Sequence, residues 1–387
     1  MNIGYVAPLS ATGYSQAARS YIKALHLAGH TIRVELTSED PSQEFGDEGR
    51  LMRELALNPM DLEDCDVVIH HREPGHCNWT KGVPNVCYTV WEADNIPKRW
   101  TWVLNDEAVE VWVPSQFNVE AFERSGVVKP VIKVPHVVDP EMFAGEWEPK
   151  HFEPDDLKGR KFLFYMGPWD SRKNPQDLLR AYYKAFSYED NIILVMRSYG
   201  GMHAIDSPAP SVQSIRDEFH DKNLPPVLFL GTNLPEQDIN WLHKNALLFV
   251  SLAHSEGWGL GHSQSLAMEV PVLSVDWGGS LEFQNHDNSF LVRVAGLIPT
   301  AGFPAGTMYD ANTMRWALGD INHAVELLRE AYNNPILCAD KGLKGKQYVV
   351  DNFNYKAIGD IMTDRLNVIT KSVGTNAIIK ETSCEKE

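Results

Sequence analysis

Short β-branched runs alternate with helix-patterned stretches along this chain, and that alternation leaves few folds open. Candidate strands fall at 67–70, 85–90, 110–114, 131–135, 161–167, 192–196, 227–231, 246–252 and 271–276. Between them lie stretches with apolar spacings of three and four. At 15–30, Ala17, Tyr21, Leu25 and Ala28 share one face and Gly29 closes the run; PQDLLRAYYKAF at 175–186 is another. Continuously apolar strands alternating with helices imply parallel sheets covered on both faces. A chain of 387 residues exceeds the usual size of one domain, so two are expected.

The segment 140–158, PEMFAGEWEPKHFEPDDLK, breaks the pattern, being rich in proline and acid. A fresh strand, KFLFYMG, follows it, so the boundary is placed there. The expected domains are therefore 1–145 and 155–350, followed by a C-terminal helix over 351–371 and a disordered polar tail over 372–387.

The formal net charge is −17, and residues 1–150 hold thirteen Lys or Arg against twenty-three Asp or Glu. Such a surface repels polyanions, which argues against nucleic acid as a partner and against tight docking on an anionic membrane. No run of eighteen apolar residues is present, so no transmembrane segment is expected. The opening MNIGYVAPLS lacks the basic and apolar stretches of a signal peptide. Five scattered cysteines fit neither a zinc site nor a disulfide framework, which favours a reducing, cytoplasmic setting.

The stretch 246–282 carries the most chemistry. A buried strand ends near Leu252, Gly257, Gly259 and Gly261 follow at alternate positions, and a helix-like run begins near Ser263. Glycines at a strand's carboxyl end let backbone amides approach an anion, and the helix start adds partial positive charge. Ordinary strand-to-helix turns show the same spacing. Glu256 accepts hydrogen bonds only, which suits sugar hydroxyls rather than phosphate. In YMGPWDSRKNPQDLL at 165–179, a strand ends at Gly167, and Arg172 and Lys173 precede Asn174, a good N-cap, and Pro175, a good first helical residue. Two cations beside a helix start suit a diphosphate, and are also met as a merely solvated basic pair.

These residues resemble glycosyltransferase family four (group 1), of the GT-B class, and the likeness runs from the opening loop to the final helix. Glu256-Gly257-Trp258-Gly259-Leu260 is similar to the family's donor motif, and Gly278-Gly279-Ser280-Leu281-Glu282 to its Gly-Gly-x-x-Glu. The family's second glutamate falls on Gln264, and its arginine after the first glycine falls on Pro168. Lys173 matches the family lysine, while Arg172 and Arg197 are candidates to replace the missing arginine. Gly13, in the opening loop, matches a glycine that approaches the donor. In 88–139, Trp91-Glu92 stands where many relatives carry a histidine, so Glu92 is a candidate for contact with the acceptor or the reacting sugar. It serves equally well as a loop cap.

The resemblance implies two Rossmann-like α/β domains whose parallel sheets face a central cleft, with the acceptor on the N-terminal domain and a nucleotide-diphosphate sugar on the C-terminal one. It implies a retaining, metal-independent transfer from that co-substrate to a carbohydrate or other hydroxyl acceptor, with no cofactor. The expected catalytic residues are Glu256, Lys173, Arg172 and Glu92. The expected donor-binding residues are Gly13, Gly167, Arg197, Thr232, Asn233, Leu234, Trp258, Gly259, Leu260, Gly261, Gln264 and Glu282. Adjacent His70 and His71 end one strand and point to opposite faces, so at most one is expected at the site. Trp91, Trp100, Trp102, Trp258 and Trp277 are candidates to stack on sugars, with core packing the safer reading for any one of them. A sugar-nucleotide epimerase of the same fold and a non-catalytic nucleotide-sugar-binding protein remain open beside the transferase.

Overall fold

The computed structural model describes residues 1–40, 44–152, 157, 159–199, 208–220, 223–230, 234–300 and 308–384, with side chains described except at 199, 208–210 and 373–384. The chain divides into two compact units. The first comprises Met1–Trp91, Asn95–Val137 and Asn352–Glu387, the second Glu92–Asp94 and Val138–Asp351.

In the first unit, β1 (Asn2–Leu9), α1 (Gly13–Leu27), β2 (Thr31–Glu39), α2 (Gly46–Ala56), β3 (Val67–His71) and β4 (Asn85–Tyr88) are followed by α3 (Lys98–Glu107), β5 (Glu110–Val113), α4 (Gln116–Arg124) and β6 (Val131–Lys133). The strands pair in parallel in the order β2-β1-β3-β4-β5-β6. β3, β4 and β5 are buried at every residue, as expected of strands covered on both faces. The edge strand β2 alternates charge with apolar residues and is half-exposed.

The second unit runs β7 (Lys161–Pro168), α5 (Pro175–Ala185), β8 (Ile192–Tyr199), α6 (Pro208–Glu218), β9 (Val227–Leu230), α7 (Glu236–Asn245), β10 (Leu248–Val250), α8 (Leu260–Ala267), β11 (Val272–Val275) and β12 (Ser289–Val292). Its six strands are also parallel, in the order β12-β11-β10-β7-β8-β9. From β7 the chain builds outward to β9, then returns to build the other half from β10 to β12. The order therefore reverses between β7 and β10, and in open α/β sheets such a reversal is where ligands bind, beyond the strands' carboxyl ends. An antiparallel hairpin, β13 (Val294–Pro299) with β14 (Arg315–Gly319), follows, then α9 (Ile321–Asn333) and α10 (Pro335–Phe353).

The segment expected to link two domains packs instead on the second unit. The backbone N–H groups of Lys150 and His151 donate to the carboxylate of Asp238 at 3.0 and 2.9 Å. Asp238 on α7 is fully buried, and these amides satisfy it. The expected strand 246–252 is shorter, and α8 starts at Leu260, earlier than the expected Ser263.

The last helix, α11 (Tyr355–Cys384), takes in residues 372–384, where the sequence predicts an unstructured tail; no proline interrupts the run. Its first half packs on α1 within the first unit. His30 and Thr363 share a hydrogen bond of 2.9 Å, Tyr355 donates to Glu48 at 2.6 Å, and Arg365 pairs with buried Glu110. Gly359 permits the approach, because a Cβ there would lie 3.0 Å from the Ala24 carbonyl oxygen. Replacing Gly359 with Leu is expected to destabilise this packing by about 1–3 kcal/mol through overpacking. Urea unfolding followed by circular dichroism measures it.

Candidate functional site

Three neighbouring strands of the second sheet, β7, β10 and β11, each send a loop from their carboxyl end, and backbone bonds lace the loops together. After β7, the backbone N–H of Lys173 donates to Asp170 Oδ1 at 2.8 Å and that of Asn174 to the Asp170 carbonyl at 3.1 Å. Asn174 adopts a left-handed conformation (φ 47°), and its side chain accepts no capping bond. Its amide donates instead to the Leu252 carbonyl and to Asp177, so this residue ties the β7 loop to the β10 loop rather than capping α5. The His254 N–H donates to the Arg172 carbonyl at 2.8 Å, and Arg172 Nη1 to the Ser255 carbonyl at 3.0 Å. From the β11 loop, the Gly279 N–H donates to the Glu256 carbonyl at 2.7 Å. Gly278 has φ 96°, and a Cβ there would press 3.0 Å from the same carbonyl.

At the centre stands a charge network that residue spacing does not reveal. The buried Glu256 carboxylate pairs with Lys173 Nζ through one oxygen and with Arg172 at 3.2 Å through the other. Arg172 also faces Glu92 at 3.9 Å, and Glu92 accepts from the Tyr309 hydroxyl at 3.1 Å. The four ionic groups sum to zero formal charge. Burial opposes ionisation of Glu256, but Lys173, Arg172 and His262 outweigh it and hold the carboxyl down at about 2. Burial opposes the Arg172 charge too, and Glu92 and Glu256 more than restore it. Burial pulls the His262 imidazole down to about 4, with Glu256 opposing and Lys173 assisting, so His262 is neutral near pH 7.

Beside this network, α8 is preceded at its N-cap by Gly259, which has φ 96°, a conformation that suits glycine. The first amides of a helix lack intrahelical partners, so the turn at Leu260 and Gly261 presents donors and a positive dipole end. Gln264 lies half-buried on the same helix. Gly167 is buried at the end of β7. Arg197 lies within β8, opposite Met166 of β7 and Leu230 of β9. Glu282 is half-buried, and its carbonyl accepts from Tyr348 at 3.5 Å. Leu234 is half-buried before α7; Thr232 and Asn233 lie outside the described residues.

Trp258 does not offer its ring to a sugar. It is buried against Phe283 at 4.8 Å between centroids, and its indole N–H donates to Ser263. Trp91 and Trp100 are buried edge to face, Trp277 is half-buried, and Trp102 is exposed beneath Lys98. In the first unit, Gly13 is exposed at the start of α1. Both histidines of β3 are core residues. His70 Nε2 donates to Asn85 at 2.8 Å, and His71 Nδ1 pairs with the Tyr5 hydroxyl at 2.9 Å. Burial, with a contribution from His136, holds His71 well below its ordinary value and so neutral. Sequence reasoning missed Tyr309 and His262: no motif points to Tyr309, while His262 was legible in principle as the fourth residue of Gly259-Leu260-Gly261-His262.

Among the described residues, no group of three His, Cys, Asp or Glu side chains is placed to hold a metal ion. No described helix is long and apolar enough to cross a membrane.

Solved structures of similar shape cover nearly the whole chain. Anabaena HepE in complex with UDP and glucose aligns with a TM-score of 0.64 at 13% identity, over 95% of this chain and 100% of that one. Sucrose-phosphate synthase from Thermosynechococcus elongatus gives 0.65 at 15%, over 96% and 100%. A protein of E. coli described as trehalose-6-phosphate bound with UDP-2-fluoro glucose gives 0.63 at 11%, over 95% and 99%. The two parallel sheets and these alignments define a GT-B fold. Residues 148–295 match the family Glycosyl transferases group 1. Comparison with curated proteins gives no match.

The Glu256 network has a pH signature. A folded-state value near 2 lies below the roughly 4.3 of a free glutamate, so the stabilisation is fully present above pH 5. It is lost as pH falls toward 2, and amounts to about 3 kcal/mol. The stability gap between wild type and Glu256→Gln should therefore be constant from pH 5.5 to 8 and shrink below about pH 4.5. Urea titrations across that range measure it.

Proposed function

We propose that the second unit binds a nucleoside-diphosphate sugar where strand order reverses between β7 and β10, and that the protein transfers the sugar to an acceptor hydroxyl. The observation that carries this reading is the half-buried Arg172–Lys173 pair at the reversal of strand order beside the start of α8. Cations and helix amides there match the charge of a leaving diphosphate. UDP is the first nucleotide to test, since the HepE structure holds UDP and glucose. Gln264 then faces the ribose, as a neutral group that both donates and accepts.

The group 1 match supports retention of anomeric configuration. In a same-face displacement the bond from the anomeric carbon to the diphosphate oxygen breaks as the acceptor oxygen bonds to that carbon. The acceptor proton passes to the departing diphosphate. The protein's work is orientation and charge stabilisation. In the free protein Glu256 occupies the two cations; on donor binding its carboxylate shares them with the diphosphate and accepts from a sugar hydroxyl.

A thermal-shift screen of nucleotide sugars identifies the donor, because a bound ligand raises the melting temperature by mass action. No stabilisation and no sugar release with any nucleotide sugar overturns the reading. Lys173→Ala is expected to reduce turnover by roughly two to three orders of magnitude, measured by release of nucleoside diphosphate with the melting temperature checked alongside. Turnover is also expected to survive excess EDTA, since the site supplies its positive charge from side chains. Loss that manganese or magnesium restores would refute metal independence.

A further inference from the structure

The hairpin β13–β14 lies almost wholly beyond the matched segment 148–295, yet it reaches both carboxylates that flank Arg172. On one side it clips residues Glu92–Asp94. The Arg315 N–H donates to Asp94 Oδ1 at 2.6 Å, the Trp316 indole donates to the Glu92 carbonyl at 2.8 Å, and the Tyr309 hydroxyl donates to Glu92 Oε2 at 3.1 Å. On the other side Ala317 exchanges bonds with His254, two residues before Glu256. Its N–H donates to the His254 carbonyl at 3.1 Å, and its carbonyl accepts from His254 Nδ1 at 2.8 Å. Buried Trp316 lies between, its ring near-parallel to His254 and met edge-on by Tyr309 at 5.2 Å.

We propose that Tyr309 is a positioning residue for glycosyl transfer: through Glu92 it fixes the guanidinium of Arg172, so the hairpin sets how that cation meets the leaving diphosphate. The inference rests on the donor site proposed above. Arg172 has two carboxylates within reach, 3.2 Å and 3.9 Å away. A guanidinium between two anions adopts the orientation that the better-anchored anion imposes, and its planar fork makes that orientation matter to a phosphate. Glu256 is held by Lys173 and by its laced loop. Glu92 is held by the phenol and by the clip on its backbone. Removing the hydroxyl leaves every formal charge in place, so long-range attraction for an anionic donor persists while the transition-state contact loosens.

The experiment compares Tyr309→Phe, Glu92→Gln and the double variant. Phe keeps the ring against Trp316. Tyr309→Phe is expected to lower kcat by about tenfold, with KM for the donor and the melting temperature little changed. Glu92→Gln should match that loss, and the double variant should be no worse than either single one, because both act through one chain of contacts. The Arg172 Nε–H resonance in the donor-free protein should move in both single variants. Wild-type kcat in Tyr309→Phe, losses that multiply in the double variant, a fall in melting temperature that accompanies the loss, or an unmoved Arg172 resonance would each overturn the inference. A wild-type protein that transfers no sugar refutes the donor-site reading instead, and the resonance still decides the role of Tyr309.

Discussion

A carboxylate buried at the mouth of a parallel sheet is tolerated only if positive groups and donors surround it, and Glu256 sets that condition for the second unit. Two cations answer it, Arg172 and Lys173, and both come from the loop after β7. That loop reaches them only because Asn174 turns left-handed and ties it to the end of β10. The β11 loop closes on the Glu256 backbone, through a glycine that no side chain can replace without pressing on the carbonyl. Order among these loops thus follows from the electrostatic demand of one side chain, transmitted through neutral backbone bonds.

The interior of the fold was legible because its physics is local. β3 to β5, β7, β10 and β11 are buried on both faces and read as apolar runs. Edge strands were read unevenly: β6 and β9 fall among the candidates, whereas β2 and β12 do not. β2 alternates Arg33 and Glu35 with Ile32 and Val34, β13 is largely exposed, and β12 is only four residues long. The proline- and acid-rich stretch after residue 140 looked like a linker because composition cannot show that a buried carboxylate elsewhere, Asp238, requires its amides.

At the site, spacing brought out Glu256, Arg172 and Lys173, since glycines and an Asn-Pro pair mark the loops that carry them. Their ion pairing was not legible, because it depends on adjacency of β7 and β10 across a long stretch of chain. Trp258 was open to two readings, a stacking surface and the safer one of core packing, and its ring fills the space against Phe283 behind the turn. Only its backbone is left to face a ligand.

The first unit handles buried polarity differently, and the contrast bears on what each unit can do. Its sheet reverses order between β1 and β3, and behind that point lies a neutral network. The Tyr21 hydroxyl meets Tyr88 at 2.5 Å and His136 Nδ1 at 2.8 Å, while Tyr5 meets His71. Burial drives the tyrosines up and the histidines down, His136 to about 3, so no charge forms there near neutral pH. Such a network fixes the orientation of its members without attracting or repelling ions. The second unit concentrates two cations and two carboxylates at the corresponding place in its sheet. The two units thus treat buried polarity in opposite ways: the second holds it as paired charge, which fixes both orientation and field, and the first as neutral hydrogen bonds, which fix orientation alone.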